Sequence, residues 1–212
     1  MSDVNFDQKP QDGGKRKGPP LLACYDDLAG SLDYAWAMLA RGVKDRKCAF
    51  HTPSVATIDA AGRPSIRTVV LRDCDTGKHT LRFHTDTRSG KILDMQQHPH
   101  AAMHFYDAQL KIQLRLGVRL QALDTTHDAY QTAWQNTRPM SRECYQVTQA
   151  PGSPIDDPTK VAFDAAATND GADHFVPVIA HVETLEWLYL AARGHRRALF
   201  NLTTASQSWL VP

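Results

Sequence analysis

Apolar and polar positions follow two rhythms along the chain. From Tyr25 to about Arg41, Leu28, Leu32, Ala35, Trp36 and Leu39 recur at helical intervals. That spacing predicts one amphipathic helix, with Asp26 and Asp27 in its first turn. The period then falls to two. Strands are expected at 54–58, 65–72, 79–84, 101–107 and 110–123, and again at 176–184, 186–191 and 195–201. Asp59-Ala60-Ala61-Gly62-Arg63-Pro64 and Asp75-Thr76-Gly77-Lys78 carry hairpin-turn chemistry. Short helices are expected over 89–97, over 127–137 and after Pro139. Consecutive antiparallel strands with few helices indicate an all-β barrel with added helices.

Residues 1–20, rich in Gly and Pro around Lys15-Arg16-Lys17, are expected to form a flexible arm. Residues 21–212 read as a single domain, with a mobile excursion at 150–174, where Pro, Asp, Ala and Gly predominate.

Composition narrows the partners. A formal charge of +1 argues against a dedicated nucleic-acid binder, so cationic residues must act locally. Cys24, Cys48, Cys74 and Cys144 form no C-x-x-C pair, which suits a reducing compartment. No apolar run approaches the ~20 residues that span a bilayer, and 1–20 lacks the apolar core of a signal peptide. A soluble, cytoplasmic protein with no membrane partner is expected. His98, His100 and His104 invite a metal, but imidazoles four apart on a strand are separated by roughly 13 Å. No metal is expected.

The candidate chemistry is cationic. Arg67-Thr68-Val69-Val70-Leu71-Arg72 places a guanidinium at each end of an apolar run, and the planar fork of arginine suits phosphate. His84-Thr85-Asp86-Thr87-Arg88-Ser89-Gly90-Lys91 runs from a strand end into a helix start, where anions are held. Arg193, His195 and Arg197 alternate along one expected strand, and would repel one another without an anion. Each motif alone has a plainer reading: solvated arginines, an ordinary helix start, a core tryptophan at 187, a polar strand face at Gln113 and Arg115.

In order along the chain, these motifs resemble the pyridoxamine 5′-phosphate oxidase family, over roughly 53–147 and 175–212, and look most similar to a divergent oxidase-like branch. The resemblance implies an antiparallel split β-barrel that binds flavin mononucleotide (FMN) at a homodimer interface. It assigns Arg67, Thr68, Val69, Val70, Leu71 and Arg72 to the flavin-lining strand. His84, with Thr85, stands for an aromatic-Thr pair, and Ser89 and Lys91 for a Ser-Arg-Lys phosphate cluster. Gly90 occupies the arginine position of that cluster, and Arg88 is expected to supply the missing charge. Gln113 is the counterpart of a flavin-contacting glutamine. Trp187, Arg193, His195 and Arg197 match a Trp followed by Arg-x-His-x-Arg. Trp187 and Arg197 are implied to contact FMN, and Arg193 and His195 to hold the substrate as catalytic residues. Trp134, Arg138 and Arg72 are implied to grip a substrate phosphate, with Trp134 replacing a tyrosine and Arg72 a lysine.

The implied activity is hydride transfer from a small, phosphorylated amine or alcohol to FMN. The alternatives are a non-catalytic FMN-binding protein, acting as reservoir or sensor, and a nicotinamide-linked flavin reductase on the same fold.

Overall fold

The computed structural model describes residues 21–163 and 170–212. The expected arm at 1–20, and 164–169 within the expected excursion, lie outside the described residues. In chain order the elements are α1 (Leu28–Lys44), β1 (Ser54–Ile58), β2 (Pro64–Thr68), β3 (Leu71–Asp75), β4 (Thr80–Asp86), α2 (Gly90–Gln97), β5 (His100–Asp107) and β6 (Ile112–Ala122). There follow α3 (Asp128–Gln135), α4 (Pro139–Arg142), β7 (Phe175–Tyr189), β8 (Arg196–Asn201) and β9 (Ser206–Leu210).

Helix α1 begins at an Asp27 cap that accepts from the Gly30 N–H and buries Ala35, Trp36 and Leu39 against the sheet. Gly42 is where α1 meets the turn at Ala49–His51: a Cβ there would lie 2.8 Å from the carbonyl carbon and oxygen of Phe50.

All strand pairs are antiparallel, and the main path runs β2-β1-β5-β6-β7-β4-β3, with β8 on β7 and β9 on β8. Strand β7 turns this sheet into a split barrel. Its register against β6 slips at Glu183, so Gly117 faces Thr184 while Val118 faces Val182. Such an extra residue bends a strand and increases its twist. Before the bulge β7 pairs with β4, and after it with β8. The expected separate strands 176–184 and 186–191 are therefore one bent strand.

A second difference bears on function. The expected continuous strand 65–72 is two strands, broken at Val69-Val70, and β2 and β3 stand at opposite ends of the sheet path. The segment that resembles a flavin-lining strand is the seam where the two ends of the sheet are covalently joined. Val69 and Leu71 point into the core.

Candidate functional site

Beneath α2, the inward face of β1 and β2 gathers a polar cluster. Arg67 donates from Nη1 to Thr57 Oγ1 (2.6 Å) and from Nη2 to Ser65 Oγ (2.8 Å), and lies 3.5 Å from the Asp94 carboxylate. Thr57 in turn donates to Asp94 (2.6 Å). Asp94 is only 9% exposed, so its charge must be paired, and Arg67 with Thr57 does this.

Lys91 approaches from the first turn of α2. Its Nζ donates to Thr85 Oγ1 (2.7 Å) and Ser89 Oγ (3.1 Å), while those two hydroxyls lie 3.2 Å apart. Burial, and next the positive charge of Arg67, hold the Lys91 ammonium below its ordinary pKa, with Asp86 and Asp94 opposing. An ammonium has three donors, and among the described residues two are engaged here. The cluster is thus a cationic cradle beside a helix N-terminus, with one lysine N–H free for an anion.

The neighbouring residue on β4 faces the other way, as strand alternation requires. His84 and Arg82 turn into a cleft of about 200 Å³ that also receives Lys44, Arg46, Arg72, Arg138 and Ser141. Burial first, then the charges of Arg82 and Arg72, push the His84 imidazole down to about 3, so it is neutral. Its Nε2 and the Arg82 Nε are buried without a hydrogen-bond partner among the described residues. Buried polar atoms of that kind call for a ligand or water. Among the described residues the Arg82 guanidinium has one acidic partner, Asp73, at 3.2 Å on the exposed side.

The C-terminal residues form a third group. Arg193 and His195 lie exposed in the turn before β8, where Gly194 adopts φ +120°, and only Arg197 of the three is on the strand. The expectation that all three alternate along one strand is therefore corrected. Arg197 pairs with Glu186 (3.1 Å), which also meets Arg115 (3.3 Å), and not with the Arg67–Lys91 cradle. Its Nε is buried and has no hydrogen-bond partner among the described residues. Together with His195 and Trp209 it lines a separate cleft. Gln113 lies on the same outer sheet face, in a row with Leu188 and Arg197.

Other expected site residues lie apart from the cradle and the cleft, or are engaged elsewhere. Trp187, expected to wall the cofactor, is 1% exposed and packs edge-on against Tyr34 inside the barrel. Leu71 and Val69 are likewise core residues, so only their backbone is available to a ligand. Trp134, expected to grip a substrate phosphate, packs on Phe175 in a satellite core with the Arg142 guanidinium over its ring. Arg88, expected to supply the charge missing at Gly90, is engaged with protein partners. Its guanidinium chelates Asp86 and donates to the carbonyls of Val147 and Thr148, so it anchors the loop after α4. Thr68 is exposed on β2 and Val70 half-buried in the seam.

Ser65, Thr57, Asp94, Arg82, Lys44 and Arg46 join these sites without having been expected there. Strand parity carried a signal for two of them: Ser65 shares a face with Arg67, and Arg82 with His84.

Residues 34–124 match the family model described as pyridoxamine 5′-phosphate oxidase, FMN-binding domain. Pyridoxine/pyridoxamine 5′-phosphate oxidase 2 of Arabidopsis thaliana is 33% identical over 106 residues, covering 47% of this chain and 53% of that protein. The chain thus spans about half the length of this curated relative. Among solved structures, PhzG from Burkholderia lata 383, in complex with tetrahydrophenazine-1-carboxylic acid, superposes with TM-score 0.68 at 18% identity, covering 91% of this chain and 98% of that one. A pyridoxamine 5′-phosphate oxidase-related, FMN binding protein from Nostoc punctiforme PCC 73102 gives TM-score 0.62 at 23% identity, covering 92% and 100%. The resemblance read from the sequence therefore holds, the fold is that of the FMN-binding split barrels, and the matched domain is the one that binds FMN.

Proposed function

From a chain whose residues 34–124 match this FMN-binding domain, we propose an FMN-dependent oxidoreductase that oxidises a small phosphorylated amine or alcohol. The observation that carries this reading is the placement of two cationic sites on opposite faces of β4, one at Thr85 and one at His84. Arg67 and Lys91, with Thr85, Ser89 and the N-terminus of α2, would hold the FMN phosphate. The donor set fits: two cations that repel each other, and hydroxyls already aimed at one point. Arg72 and Arg138 would hold the substrate phosphate in the cleft.

When bound, FMN would supply the redox chemistry, the acceptance of hydride from a carbon bearing an amine or alcohol. The protein's part is binding and orientation. His84 stays neutral and offers Nε2 as a hydrogen-bonding atom. The seam at 69–71 joins the strand that carries Arg67 to the strand that carries Arg72.

Arg193, His195 and Arg197 lie apart from the cradle's own ion pairs, which favours their completing the site of a second copy in a homodimer. On this reading Lys91→Ala and Arg197→Ala chains each lose activity alone, and mixed dimers regain part of it. Absence of any recovery in verified mixed dimers refutes the shared site.

The activity test is anaerobic mixing of the flavin-loaded protein with pyridoxamine 5′-phosphate, followed at the flavin absorbance. Bleaching is expected. A flavin spectrum that stays oxidised at millimolar substrate removes this substrate, and a colourless protein that fails to take up added FMN removes the cofactor assignment.

A further inference from the structure

We propose that the cleft between β3–β4 and α3–α4 takes a ligand with two anionic groups, a diphosphate or a phosphate paired with a carboxylate, rather than a single phosphate. This rests on the reading of the cleft as the substrate site and specifies the substrate's charge.

The number and layering of the cations carry the inference. Lys44, Arg46, Arg72, Arg82 and Arg138 line one cleft in a chain whose net charge is only +1. Among the described residues their one acidic partner is Asp73, itself half exposed, on Arg82. A single phosphate ester brings about −1.5 to −2 charges. That leaves roughly half of the cationic charge in the cleft unmatched. Like charges focused in one concavity raise the local concentration of a counter-ion of matching charge.

The cations also stand in two tiers. Arg82 and His84 form the floor: the Arg82 side chain is 14% exposed, and each residue has an unpartnered buried nitrogen. Lys44, Arg46 and Arg138 are exposed at the rim, with Arg72 half-buried between rim and floor. The neutral imidazole at the floor contributes a hydrogen bond instead of charge. One anionic group reaches the floor, and a second meets the α1 end of the cleft at Lys44 and Arg46.

The test is calorimetric titration of the protein, supplied with excess FMN, with orthophosphate, pyrophosphate and phosphoglycolate at equal ionic strength. Pyrophosphate and phosphoglycolate are expected to bind about tenfold or more tighter than orthophosphate, since each additional charge-assisted contact is worth at least that factor. Lys44→Gln/Arg46→Gln is expected to reduce both to the level of orthophosphate. Equal affinities for all three anions overturn the two-anion cleft and leave the single-phosphate reading standing. An advantage that survives the double variant assigns the second group elsewhere and likewise overturns it. Failure of all three to bind a protein that retains FMN removes the cleft as a substrate site altogether, without touching the flavin cradle.

Discussion

Replacing Lys91 by methionine separates the cradle's role from its contribution to the fold. The substitution keeps the length and apolar stem of the side chain and removes the ammonium. In the structure that ammonium is half-buried and donates to Thr85 and Ser89, with its third N–H open. A hydrogen bond from a charged donor to phosphate is worth about 1.5–3 kcal/mol, so FMN affinity should fall roughly ten- to a hundredfold. The protein without FMN should be no less stable at neutral pH, because burial and Arg67 already disfavour the charged lysine. The pH dependence has a definite sign. With the folded-state pKa below the ordinary lysine value of 10.5, the unfolded chain binds more protons between the two values. Stability of the FMN-free protein therefore rises with pH across that window, and the cost of holding the ammonium is present below it. A bound phosphate reverses the preference, so FMN affinity falls as pH climbs through the folded-state pKa. Lys91→Met should flatten that decline. Fluorimetric FMN titration across pH, paired with urea unfolding without FMN, measures both effects. FMN affinity within twofold of the parent protein would refute the cradle, as would a variant that unfolds more easily yet holds FMN unchanged.

Other substitutions probe neighbouring parts of the reasoning. Gly90→Arg places a cation at the first position of α2, where a Cβ meets no other atom within 4 Å. FMN binding should tighten severalfold by the same titration, and a weaker complex would mean the phosphate lies elsewhere. Trp187→Ala should cost about 3–5 kcal/mol of unfolding free energy, as for a fully buried aromatic. If it instead left stability intact and released FMN selectively, the placement of Trp187 in the core would be wrong. Gly42→Ala should destabilise: overpacking against the Phe50 backbone costs about 1–3 kcal/mol, against a helix-propensity gain of at most roughly 1 kcal/mol. Denaturant unfolding that shows a net gain would contradict the close approach at that point.

The strands were legible where one face is buried and the other wet. On β5 the exposed His100, Ala102, His104 and Tyr106 alternate with Ala101, Met103 and Phe105, and the observed burial follows that period. The break at Val69-Val70 was not legible, because a run of β-branched residues has the composition of a central strand whether or not it stays in one. Which edges β2 and β3 occupy depends on pairings with β1 and β4, and these are not local. Strand β9 was missed because Ser206-Gln207-Ser208 has no apolar alternation, and its pairing is with β8 alone.

The core placement of the two tryptophans was illegible for a different reason: a motif's spacing does not specify which face a side chain occupies. Trp187 shares parity with Leu185 and Tyr189, all buried, while Glu186 and Leu188 take the outer face with Arg197 in register. Parity therefore placed Trp187 and Arg197 on opposite faces, and one flavin could not be touched by both within a single chain. Trp134 lies one turn from Tyr130 on α3, and the two share the Phe175 core. The same parity rule, applied to β4, puts Thr85 with the cradle and Arg82 with His84 in the cleft. Adjacent residues of one strand thus reach two cationic sites, and the 67–72 seam has Arg67 in the first and Arg72 in the second. A shift of β3–β4 relative to β2 would consequently alter the spacing between the two sites, which makes the short Val69-Val70 connection the element that sets their separation.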